Sequence, residues 1–125
     1  MANEILLDAN AILRLLLNDV AEQNAIVKEV IETKQCWAIT SVIQECIYIL
    51  EHYYNIPRDT IRDKFIDLKK AVHIENENLY EKSLDYYIQT PKLDFVDCLL
   101  CAYKELTNAI VLTFDEKLKK KLENI

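Results

Sequence analysis

Four acids stand out from the 21 in this 125-residue chain by where they fall. Asp8 ends a short apolar run. Glu45 lies in the first turns of the helix that follows a second such run. Asp97 follows Asp94 by three residues at the start of another helix. Asp115 follows the last apolar run and opens the last helix. Each has an ordinary explanation: a turn residue at Asp8, a first-turn acid at Asp97, a helix cap at Asp115. All four, however, sit at strand C-termini or helix N-termini, the edge of an open parallel sheet where ligands bind. Carboxylates gathered there repel one another and raise each other's pKa values. A divalent cation removes the conflict, and Mg²⁺ or Mn²⁺ suits an all-oxygen donor set. The chemistry that follows is phosphodiester hydrolysis by metal-activated water.

The elements that must position these acids read as short apolar runs alternating with amphipathic helices. Residues 4–7 read as a buried strand, followed by helices from Ala9 and over about 20–33. Residues 36–39 form a second strand. Ser41 with Gln44 three residues later is a capping-box signature for the next helix, whose stripe is Val42, Cys46, Ile49, Leu50 and Tyr53. Pro57 starts a helix to about residue 70, with Ile61, Phe65 and Leu68 inward. Residues 72–74 are a third strand, and a helix over 77–89 carries Tyr80, Leu84, Tyr87 and Ile88. Asp94 begins a helix with Val96, Leu99, Leu100 and Tyr103 inward. Residues 109–113 are a fourth strand before a Lys-rich last helix. Strands separated by helices give an α/β fold with a parallel sheet, as a single domain over 1–125.

Composition narrows the function. The chain is 51% hydrophobic and 29% charged, enough apolar material for a core. The net charge of −6 disfavours a generic electrostatic nucleic-acid binder, but not an enzyme that meets phosphates through metal. Glycine is absent, which excludes a P-loop, a dinucleotide-binding turn and a nucleophile elbow. Asparagine is its natural substitute where the backbone turns left-handed, at Asn55 and Asn108. Cys36, Cys46, Cys98 and Cys101 read as small buried hydrophobes rather than zinc ligands or disulfides. His52 and His73 have no Ser or Cys partner at triad spacing. No apolar run is long enough to span a membrane, and no signal-peptide charge pattern opens the chain, so the expected location is cytoplasmic.

Leu6-Leu7-Asp8-Ala9-Asn10-Ala11-Ile12-Leu13-Arg14 resembles the opening motif of PIN domains, specifically of VapC-type toxins. Thr40-Ser41-Val42-Ile43-Gln44-Glu45 resembles the family's second motif, Asp94-Phe95-Val96-Asp97-Cys98 its third, and Val111-Leu112-Thr113-Phe114-Asp115 its fourth. The four occur in family order across nearly the whole chain.

The resemblance implies a PIN-like three-layer sandwich: a parallel sheet of four strands, five at most, covered by about seven helices. It implies a Mg²⁺- or Mn²⁺-dependent endoribonuclease, the toxin of a toxin–antitoxin pair, that leaves 5′-phosphate and 3′-hydroxyl ends. Asp8, Glu45, Asp97 and Asp115 carry over as catalytic, with Asp8, Asp97 and Asp115 on the metal. Asn10 and Thr113 match positions that line the family's site. Asp94 is either a further site acid or the cap of its helix, and the cap is favoured. Arg14 and Lys117 are the candidate RNA-phosphate contacts, with Lys119, Lys120 and Lys121 as a basic rim or a solvated helix end. Expected partners are RNA, a small antitoxin and a second copy of the chain, with Tyr48, Tyr53 and Tyr54 as contact candidates. Two departures from the family stand out. The usual fifth strand is missing or vestigial, and Thr107-Asn108 replaces the glycine before strand four. The rival readings are an RNA-processing nuclease outside a toxin–antitoxin pair and a binding module of the same fold without activity.

Overall fold

The computed structural model describes residues 4–125. Met1-Ala2-Asn3, part of the segment read above as lacking a signal, lies outside the described residues. The chain divides into two compact units at Glu75–Asn76.

The first unit holds a parallel sheet in the order β1-β2-β3, with β1 Glu4–Leu6, β2 Gln35–Ala38 and β3 His73–Ile74. Leu6 pairs with Trp37, and Ala38 with Ile74. Each crossover is a pair of helices: α1 Ala9–Leu17 and α2 Ala21–Thr33, then α3 Thr40–His52 and α4 Arg58–Ala71. Parallel neighbours need such crossovers because the chain must return to the same end of the sheet. The core of α4 is the expected stripe: Ile61, Phe65 and Leu68 are buried at four- and three-residue spacing. In α3 the phase differs. Ile43, Cys46, Ile47 and Leu50 are buried, while Tyr53 is 77% exposed at the helix end.

The second unit is helical: α5 Glu77–Gln89, α6 Phe95–Thr107 and α7 Glu116–Leu122. On α5, Tyr80, Leu84 and Tyr87 are buried as expected. On α6 the buried stripe is Phe95, Cys98, Leu99, Cys101 and Ala102, leaving Val96 and Tyr103 exposed. The inward face runs through the small residues, which allow close helix approach. Tyr87 meets Phe95 edge-on at 5.7 Å between ring centroids.

The fold is thus α/β with seven helices and a parallel sheet among the described residues, but with three strands rather than four or five. Residues 109–113, expected as the fourth strand, are not in a strand. Ile110, Leu112 and Phe114 are 94%, 86% and 89% exposed. Alternation gave the segment its strand signature, but a strand needs a ladder of backbone partners as well as a pattern. Its backbone makes no ladder among the described residues.

Asparagine does take the left-handed positions. Asn18, Asn55, Asn76 and Asn108 all have φ between 51° and 59°. Asn18 and Asn108 close α1 and α6. All four cysteines are buried free thiols.

Candidate functional site

In the first unit, Asp8 is the N-cap of α1, its Oδ1 accepting from the Ala11 N–H at 2.8 Å. The opposite end of α1 is pinned. Buried Asn24 donates its amide to the Arg14 carbonyl at 2.9 Å, and Lys64 Nζ donates to the Leu16 carbonyl at 3.1 Å. The Lys64 bond satisfies a carbonyl in the last turn, the Asn24 bond adds to the Asn18 N–H at the Arg14 carbonyl, and together they fix the axis on which Asp8 sits. The start of α3 is held differently from the sequence reading. Ser41 is not its cap, and Gln44 closes no box. Thr40 opens the helix, and its N–H donates to the Glu75 carboxylate just after β3 at 2.9 Å. Sequence alone did not show Glu75 because its partner lies 35 residues away.

Asp8 and Glu45 are brought together. Both are exposed, and both act on the same buried group. Burial first, and then the charges of Glu45 and Asp8, together push the Cys46 thiol up to about 12. Cys46 donates to the Ala9 carbonyl at 3.6 Å, tying α3 to the first turn of α1. Asn10 is exposed on that turn. Arg14 is committed elsewhere: its guanidinium pairs with Asp19 at 3.5 Å, and its side chain is largely covered.

In the second unit, Asp94 and Asp115 are both N-caps. Asp94 Oδ1 accepts from the Asp97 N–H at 2.9 Å, and Asp115 Oδ1 from the Leu118 N–H at 2.9 Å. The Asp115 N–H donates to Thr113 Oγ1 at 3.1 Å, so Thr113 orients the acid that follows it. Capping and chemistry do not compete here. A cap uses one carboxylate oxygen and fixes the direction of the other, and the helix N-terminus favours the negative charge. Asp97, half-buried, is held above the ordinary carboxylate range by burial first. The Asp94 charge and a side-chain hydrogen bond to Asp94 follow, then the charge of Asp115. Asp94, Asp97 and Asp115 therefore form a second crowded acid set.

The donor chemistry, carboxylate oxygen throughout, fits a hard divalent cation. Among the described residues, no three or more His, Cys, Asp or Glu side chains are placed so as to hold one. Lys117, the second residue of α7, lines a cleft of about 530 Å³ in the second unit. Lys92 and Lys120 line the same cleft. Lys92 went unnoticed in the sequence because a single loop lysine belongs to no periodic pattern.

The PIN domain family matches residues 5–123, across both units, and the chain belongs to that family. PIN domains are generally metal-dependent nucleases. No curated protein and no solved structure matches the chain. No helix among the described residues is long and apolar enough to cross a membrane.

Proposed function

We propose that this chain is a Mg²⁺- or Mn²⁺-dependent endoribonuclease whose catalytic acids are Asp8, Glu45, Asp97 and Asp115, the four that the PIN-domain motifs carry over. The observation that supports the reading is the placement of Asp94 and Asp115 as helix caps around Asp97, whose ionisation is opposed by burial first and then by those two carboxylates. Acids gathered at a cost to their own ionisation suit a bound cation, which removes their repulsion.

Asp8, Asp97 and Asp115 would hold the metal, with Glu45 beside Asp8. A bound divalent ion supplies water of lowered pKa and offsets charge on the phosphate. The chain's own part is orientation. The caps at Asp8 and Asp115 aim one carboxylate oxygen each, and Thr113 steadies Asp115. Asp94 serves Asp97 as its helix cap and its electrostatic neighbour. No protein nucleophile is required.

As to biological setting, the motifs resemble those of toxins paired with an antitoxin, and we assign the chain to that role. Tyr48, Tyr53 and Tyr54 are 58%, 77% and 47% exposed near the end of α3, an aromatic patch suited to an antitoxin or a second copy. An antitoxin reading frame beside the gene separates this role from that of a stand-alone RNA-processing nuclease. The activity itself is tested with labelled RNA and Mn²⁺ or Mg²⁺. Cleavage abolished by EDTA and by Asp97→Asn supports the assignment. Cleavage that survives Asp97→Asn removes Asp97 from the site, and absence of cleavage on a broad set of RNAs favours a silent binding module.

A further inference from the structure

Lys92, Lys117, Lys120 and Lys121 converge on one cleft in the second unit, with Pro91 and Leu93 between them. One wall is the loop between α5 and α6, and the other is α7 and the residues after it. Glu116 is the single acid lining it. Four lysines against one glutamate is a local excess of positive charge on a chain whose net charge is −6. Two lysines elsewhere are neutralised by neighbours: Lys70 pairs with Asp67 at 3.3 Å, and Lys82 with Glu105 at 2.7 Å. Among the described residues, Lys92, Lys117 and Lys120 are exposed and have no carboxylate partner, while Lys121 lies over the Tyr86 ring at 5.5 Å.

The cleft also has a defined neighbour. Leu93 immediately precedes Asp94, and Glu116 immediately follows Asp115. The basic cleft therefore begins where the acid set of this unit ends. Unpaired ammonium groups beside carboxylates make a polarity that a polyanion can read: one phosphate at the acids, its neighbours at the lysines.

We propose that this cleft holds the phosphates flanking the scissile bond of single-stranded RNA, with Lys92, Lys117 and Lys120 as the contacts. The inference rests on the nuclease assignment and adds to it where the substrate strand lies. Lysine suits this task as a point charge without base preference. Exposed Pro91 gives an unstacked base or ribose an apolar surface. The inference also accounts for how a net-acidic chain engages RNA: the attraction is local rather than global.

The test measures binding of a labelled 12-nucleotide single-stranded RNA to the full chain carrying Asp97→Asn, so that the RNA stays intact. The same chain with Lys92→Gln, Lys117→Gln and Lys120→Gln is measured beside it across a salt series. Three lost phosphate contacts lower the slope of log affinity against log salt by about 2, and affinity at 0.1 M salt by about 100-fold. Replacing the three lysines by arginine instead restores both, which separates lost charge from a lost fold. Unchanged affinity and slope in the glutamine variant overturn the proposal. So does loss of binding to poly-glutamate with RNA binding intact, which would make the cleft a seat for an acidic protein segment. Failure of the nuclease assignment shows differently: RNA binds and depends on the lysines, yet the wild-type chain does not cut it.

Discussion

At Asp97, stability and function pull in opposite directions. Burial and two neighbouring carboxylates oppose its ionisation, so the cation-free protein carries repulsion at this point. Asp97→Asn relieves it. The variant is expected to be more stable than wild type without metal, by a few tenths to about 1 kcal/mol. Millimolar Mn²⁺ is expected to raise the melting temperature of wild type and to leave that of the variant unchanged, because only the native acid set binds it. Thermal melts with Mn²⁺ and with EDTA check both. Glu105 gives a pH dependence far from this set. Lys82 donates a hydrogen bond to it and so does Tyr86, and together they hold its carboxyl below the ordinary glutamate range. A depressed carboxyl contributes stability that is present above its unfolded pKa, about 4.3, and is lost as pH falls through the folded value. Acid titration of unfolding is therefore expected to show stability declining below about pH 4.3 in wild type, and less steeply in Glu105→Gln.

At the scale of elements, the helices were the most legible part, because each carries its own signals. α5 begins and ends at the residues its apolar spacing implies, and the Asp94 cap of α6 forms as read. The phase of a stripe was harder to read than its presence. In α6 the buried face passes through Cys98 and Ala102 rather than Val96 and Tyr103, since partner shape decides which apolar side faces inward. Contacts distant in sequence were not legible at all. The Ser41/Gln44 box is replaced by the Glu75 carboxylate at the Thr40 N–H. Glu75→Ala is accordingly expected to cost about 1 kcal/mol in denaturant unfolding, while Ser41→Ala changes stability by less than about 0.5 kcal/mol. Residues 109–114 show the same limit from the other side. Their alternation is local and real, but nothing local supplies a pairing partner, and Ile110, Leu112 and Phe114 stand exposed.

At the scale of the whole molecule, the family was legible because its four motifs come in order, and residues 5–123 match it. The acids divide between the units, Asp8 and Glu45 in one, Asp94, Asp97 and Asp115 in the other. Asp94 and Asp115 begin helices beside Asp97, as their spacing implied. Of the basic cleft, Lys117, Lys120 and Lys121 were legible as a phosphate contact and a candidate basic rim on the last helix; Lys92 was not, because only folding brings its loop near that helix. The central proposal is that Asp8 and Asp97 both act in one metal-dependent cleavage reaction. The most direct measurement is a double-mutant cycle on RNA cleavage with Asp8→Asn, Asp97→Asn and the pair. Residues that act as one unit are grossly non-additive. Each single variant is expected to lower kcat/KM by at least about 100-fold, and the double variant to fall no further than the worse single one. Losses that multiply in the double variant, or cleavage that survives Asp8→Asn, would contradict that proposal.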